Sequence, residues 1–297
     1  MKHWFKIALL TSLPVLSHAH SMSPFLLPEV FDTKAAQSIS FQSGITIEKF
    51  FVAGNNFKTT YVITEPDGQQ KPINAAAALK RFNIAEFDLP KEGTYRIRTQ
   101  DAVGNNGKYA LVDGHWLRVR PARAPMPMQA PADKPAETAA TPKAPVNAQP
   151  PRVIAADQVP ANAQTLEVTN HFIAESYVTK GKPTAIPTAS KKGFEFTLLT
   201  HPNELYAGES LKAKVLMNGK PVPNLEVDVF KGAGSYEPNA KREQPHVKTN
   251  AKGEVEIKFD QAGIYLITTA YPEANPDATK KPATENFTYG LTVEVTE

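Results

Sequence analysis

Short apolar runs recur along this chain, and within most of them apolar and polar residues alternate. Ile39 and Phe41, Phe50 to Val52, Thr60 to Thr64, Phe82 to Phe87, Thr94 to Gln100 and Tyr109 to Val119 form one set. Glu195 to Leu199, Ser210 to Met217, Leu225 to Phe230, Glu254 to Phe259, Ile264 to Tyr271 and Thr288 to Val295 form a second. Side chains two apart share a face of a strand, so runs of this kind read as half-buried strands. The residues between them have turn chemistry. In Glu65-Pro66-Asp67-Gly68 the proline presets φ and the glycine accepts a positive φ. Asn218-Gly219 between two runs is a hairpin signal. Together these predict an all-β chain of antiparallel sandwiches. Only the tract Asn74 to Phe82 offers a helical turn, at Ala75 to Ala78.

A repeat within the chain sharpens the architecture. Gly93-Thr-Tyr95-Arg-Ile97-Arg-Thr99 follows Phe87-Asp88, and Gly263-Ile-Tyr265-Leu-Ile267-Thr-Thr269 follows Phe259-Asp260. A tyrosine just after such a turn matches the corner tyrosine of immunoglobulin-like folds, whose hydroxyl bonds back to the backbone. Two immunoglobulin-like sandwiches are therefore expected. Proline marks their boundary. The 26 prolines are unevenly spread, and Pro121 to Pro151 is a proline- and alanine-rich tract without apolar periodicity, unable to build a core. The expected organisation is a signal peptide over 1–19, an N-terminal sandwich over 20–120, a linker over 121–164 and a C-terminal sandwich over 165–297.

The signal peptide rests on a basic start at Met1 to Lys6, an apolar run from Ile7 to Leu16, and the small-x-small site Ser17-His18-Ala19. Cleavage after Ala19 makes His20 the first residue of the mature chain. Its α-amino group and its imidazole Nδ1 then close a chelate ring on one metal ion. The formal net charge of +3 falls to +1 once Lys2 and Lys6 leave, so nothing favours nucleic acid or anionic lipid. There is no cysteine, which excludes disulfides, thiolate chemistry and an N-terminal lipidated cysteine. No second long apolar run predicts a membrane span. The chain reads as a periplasmic, or secreted, protein.

Five motifs carry a family resemblance. They are His20-Ser-Met-Ser-Pro-Phe-Leu-Leu-Pro28, Glu65-Pro66-Asp67-Gly68, Phe87 with Gly93-Thr-Tyr95-Arg-Ile97, Glu175-Ser-Tyr-Val-Thr179-x-Gly181-x-Pro183-Thr184, and Asn218-Gly-Lys-Pro-Val222. The chain resembles an exported domain-of-unknown-function family with members described as periplasmic components of nickel and cobalt uptake systems. The resemblance implies handling of a divalent transition metal, nickel or cobalt, and an envelope metal transporter or outer-membrane receptor as partner.

The remaining histidines have neither helical nor strand spacing for a local site, so a site must be assembled from distant segments. His20 with His115 or His171 is the expected ligand set, copper being a further candidate because imidazole and amine nitrogen suit it equally. Glu29 and Asp113 are candidate oxygen ligands or acceptors for an imidazole N–H. His201 and His246 read as loop residues. No Gly-x-Ser-x-Gly elbow, His-Glu-x-x-His or phosphate-binding glycine loop is present, so no enzyme is expected. The alternative reading is a non-catalytic protein- or glycan-interaction module of the envelope.

Overall fold

The computed structural model describes residues 22–46, 53–100, 102–103, 106–122, 152–186, 192–232, 246–275 and 277–297. The signal segment, His20, the run Phe50 to Val52 and most of the linker lie outside them. The first strands are β1 (Ser23–Pro28), β2 (Asp32–Thr33), β3 (Ser38–Thr46), β4 (Ala53–Asn55), β5 (Thr60–Thr64), β6 (Gln70–Ile73), β7 (Ala77–Ala78) and β8 (Phe82–Asp88). There follow β9 (Gly93–Gln100), β10 (Ala102–Val103), β11 (Gly107–Val112), β12 (His115–Arg120), β13 (Val153–Ala155) and the long β14 (Thr165–Lys180). The last are β15 (Phe194–Leu198), β16 (Ser210–Met217), β17 (Lys220–Pro221), β18 (Glu226–Lys231), β19 (Val247–Lys248), β20 (Glu254–Lys258), β21 (Gly263–Tyr271) and β22 (Glu285–Val295).

The fold is all-β, of immunoglobulin-like sandwiches, as the alternation predicts. A central sheet runs β6-β5-β9-β14-β22-β21-β18-β19, with β10 and β11 continuing β9 along β14. One smaller sheet, β1-β3-β8-β7, covers one face, and β15-β16-β17 with β20 covers the other. Strand β14 belongs to both cores. Its even residues Phe172, Ala174 and Val178 pack with Tyr61, Tyr95 and Ile97, whereas Ile173 and Tyr177 pack with Phe194, Tyr265 and Tyr289. Opposite faces of one strand thus feed two cores, the period-two rule applied to a strand buried on both sides.

Both corner tyrosines form. Tyr95 Oη donates to the Lys91 carbonyl at 2.7 Å, and Tyr265 Oη to the Gln261 carbonyl at 2.8 Å. Each hydroxyl ties a strand to the turn that feeds it.

Four features differ from the sequence reading. Ala77–Ala78 is a short strand paired with β8 rather than a helical turn, because the β8 edge offers it ladder hydrogen bonds. The run Tyr109 to Val119 is a hairpin, folded at Asp113 (φ 49°) and Gly114 (φ 78°). Val153–Ala155, at the end of the proline-rich tract, pairs in parallel with β12. Finally β14 and β22 run parallel within sheets that are otherwise mainly antiparallel, since a segment crossing the whole C-terminal sandwich separates them.

The first small sheet also crosses the central one. Phe31 O accepts from Thr179 N–H on β14, Pro24 rests on Gly290 of β22, and Ser23 Oγ meets Thr268 Oγ1 of β21 at 3.2 Å. Phe25 packs on Leu266 beside them. Read from Phe31 back to Ser23, the chain steps across β14, β22 and β21 in order.

Candidate metal centre

Among the described residues the expected ligands are scattered. His115 starts β12, and its Nδ1–H donates to the Asp113 carbonyl at 2.9 Å across the hairpin turn. His171 on β14 stacks on Phe287, ring centroids 4.6 Å apart, with Nε2 3.7 Å from Glu285 Oε1. Glu29 accepts from the N–H and the hydroxyl of Ser40, both at 3.1 Å. None of these joins a cluster of three ligand side chains among the described residues. His20 lies outside the described residues.

His201 has a joining role. Asn203 N–H donates to its Nδ1 at 3.2 Å, so the proton sits on Nε2, which reaches the Thr184 carbonyl and Thr94 Oγ1, each at 3.1 Å. Thr94 Oγ1 also lies 3.0 Å from Thr179 Oγ1. The motifs around Tyr95 and Glu175 are thus two halves of one joint between β9 and β14. Glu175 is its charged centre, fully buried, with Arg96 at 2.8 Å, Arg98 at 3.6 Å and Tyr177 Oη at 2.5 Å. Burial opposes its charge, yet the two guanidiniums and the tyrosine hold its carboxyl below the usual range.

A carboxylate of a different kind faces a cleft of about 420 Å³ between β5–β6 and β8. Glu65 there is engaged by Lys71 and by Lys91 at 2.8 Å, and those hydrogen bonds hold its carboxyl below its ordinary value. A carboxylate neutralised in this way is a poor general acid.

Among the described residues the structure assembles one ligand group that the sequence does not reveal. Glu226, Asp228 and His246 present ligand atoms all within 4.8 Å of one another. On β18, Val227 and Val229 are buried, so Glu226 and Asp228 share the opposite face. Strand β19 pairs with β18 through Val227–Val247, which sets His246 beside Asp228. His246 Nδ1 lies 2.5 Å from Asp228 Oδ1 and 3.6 Å from Glu226 Oε1. Glu226 and His246 are partly exposed, so an ion has access. Lys248 Nζ approaches Glu226 Oε2 at 3.4 Å, and Glu273 Oε1 accepts the Glu226 N–H at 3.2 Å. A cation between the imidazole and the carboxylates would replace the proton they share and compete with Lys248. The period-two pair Glu226 and Asp228 is visible in the sequence; the approach of His246 depends on strand pairing.

With that geometry in view, the family match adds a lineage. Residues 17–273 match a domain of unknown function, DUF4198. The chain belongs to this family. The family's description names no activity. No curated protein matches the chain. Among solved structures it is similar to the D0–D1 domain of Intimin at 11% identity and TM-score 0.22, covering 92% of this chain and 97% of that one. It is similar to the Yersinia pseudotuberculosis adhesin InvE at 11% and 0.21, covering 91% and 58%. It is also similar to chicken CNTN1 FN1–FN3 at 7% and 0.22, covering 93% and 99%. Likeness this low carries no argument, and the fold rests on the strand order above. No helix among the described residues is long and apolar enough to cross a membrane.

Proposed function

We propose that this protein is a non-catalytic, extracytoplasmic binder of a divalent transition metal, nickel or cobalt with copper as a further candidate. In this reading it buffers the ion, or delivers it to an envelope transport system. The Glu226–Asp228–His246 group carries the proposal: two carboxylates and an imidazole converge on one point at the edge of a sheet. Mixed oxygen and imidazole donors suit first-row divalent ions.

Calorimetric titration of the mature protein with Ni²⁺, Co²⁺, Cu²⁺ and Zn²⁺ tests the proposal. Saturable one-to-one binding is expected for at least one ion, with His246→Ala weakening it at least tenfold. No saturable binding of any of the four removes the reading and favours the interaction-module alternative. Lys248→Gln is expected to tighten binding, by up to about fivefold. It removes a competing cation from Glu226, and exposed pairs of this kind are worth about 0.2–1 kcal/mol. Unchanged or weaker binding in that variant would show that Lys248 does not compete for the site.

A further inference from the structure

The cleft between β5–β6 and β8 is bordered by the free edges of two strands, and the two edges differ. Leu89 N–H donates to the Gln37 carbonyl at 2.7 Å, and Ala76 N–H to the Ile84 carbonyl at 2.8 Å. Hydrogen-bonding direction alternates along an antiparallel strand. Odd residues of β8 therefore turn their backbone groups to β3, and even residues turn theirs to the opposite edge. Strand β7 pairs with that edge only at Asn83 and Ile84. Among the described residues no strand pairs with Glu86 and Asp88 there. On β6, Glu65 N–H donates to the Gln69 carbonyl, so Gln70 and Pro72 face away from β5. Pro72 has no N–H, which blocks a further strand on β6. The β8 edge carries no such block.

The cleft beside it, of about 420 Å³, has the size of a ligand site, and Ile63, Ile73, Phe87 and Pro90 form its apolar lining. Phe87 is buried, whereas Glu86 and Asp88 on either side of it are exposed on the other face of β8. Their ladder partners on β3 are Ser40 and Ser38, which bring no cation. Glu65 and Asp67 are balanced by Lys71 and Lys91. Glu86 and Asp88 have no ion-pair partner among the described residues, so the edge carries two uncompensated negative charges. A second copy paired antiparallel about Phe87 would set Glu86 against Asp88, like charges directly opposed. Basic residues in those positions would instead be attracted.

We propose that the Glu86–Asp88 edge of β8 takes up an extended segment of a partner protein as one more strand of the β1-β3-β8-β7 sheet. Main-chain hydrogen bonds supply the attachment, and alternate side chains supply the selectivity. Ladder partners share a face, so the residue opposite Phe87 enters the cleft and is apolar. Its two neighbours lie opposite Glu86 and Asp88 and are lysine or arginine. The recognised pattern is basic–apolar–basic. None of the metal-centre residues takes part, so this inference stands or falls separately from the metal reading.

The test is amide NMR of the full mature chain titrated with acetylated, amidated heptapeptides. The probe is Thr-Val-Lys-Val-Lys-Val-Thr; the controls are its glutamate counterpart, Thr-Val-Glu-Val-Glu-Val-Thr, and the rearranged Thr-Lys-Lys-Val-Val-Val-Thr. The probe is expected to saturate, to shift the Glu86 and Asp88 amides and to slow their hydrogen exchange. Both controls are expected to bind at least tenfold more weakly. Changing Glu86→Lys and Asp88→Lys together is expected to reverse the preference toward the glutamate peptide. Glu86→Pro removes an N–H that faces the open edge and is expected to abolish binding, whereas Glu86→Gln only weakens it. Unfolding midpoints check that these variants fold, and the charge reversal decides the matter if Glu86→Pro does not. Equal binding of the lysine and glutamate peptides, shifts mapping to another strand, or no saturation overturns the proposal. Sedimentation showing dimers of the parent that Glu86→Pro abolishes would make the occupant a second copy, and overturns it too.

Discussion

Glu175→Gln is expected to lower the free energy of unfolding by about 3–5 kcal/mol, because it leaves the Arg96 guanidinium in the interior without its counter-charge. Glu175 is fully buried on β14 and binds Arg96 of β9 at 2.8 Å, with Arg98 and Tyr177 alongside. Each module supplies part of this cluster, so the loss falls on the joint between them. Replacing Glu175 and Arg96 together by methionine is expected to recover much of the loss, since the desolvation cost of both charges is then removed. Urea titrations of the parent, the single variant and the double variant measure this. A single variant within 1 kcal/mol of the parent would mean that the cluster contributes little. Acid adds a check on sign. The carboxyl is held below its ordinary value of 4.5 in the folded state, so its contribution is present above about that pH. As pH falls further the unfolded chain takes up the proton first, and the gap between parent and variant narrows.

Gly290→Ala is expected to cost about 3 kcal/mol, the upper end for overpacking. A Cβ at Gly290 would stand 1.8 Å from the Pro24 carbonyl oxygen and 3.0 Å from its carbon. Both partners are backbone, so no rotamer change relieves the contact, and β1 must lift from β22. The Ser23–Thr268 contact lies next to the displaced residue. Urea unfolding of the parent and of Gly290→Ala measures the loss. A midpoint equal to the parent's would show that β1 is not held in this packing.

These two positions also show where local reading stops. Glu175 lies within a recognisable motif, yet its strand is not legible in the alternation of apolar and polar residues. Thr165–Lys180 is buried on both faces over much of its length, so its apolar residues do not alternate with exposed ones. Its polar residues are accommodated by partners far along the chain: Glu175 by Arg96, and Thr179 by Thr94 and Asn203. Gly290 sits in the middle of a strand, where a glycine reads as a weak point until the strand crossing it is known.

The candidate site divides in the same way. His115 and His171 are residue types capable of ligation, but their positions on β12 and β14 set them against a turn carbonyl and an aromatic ring. His246 reads as a loop residue in the sequence because its carboxylate partners Asp228 and Glu226 lie far back in the chain, across a strand pair.

Strand content, the two corner tyrosines and the Asn218-Gly219 turn are local properties. Side-chain periodicity, φ preference and the bonding of neighbouring atoms express them within a few residues, and a chain read in order reveals them. The sharing of β14 between two cores, the crossing of β1 over β22, and the meeting of Glu226, Asp228 and His246 depend on which strand lies beside which. Strand order is chosen by burial and backbone pairing over the whole chain, and no short window of sequence contains it.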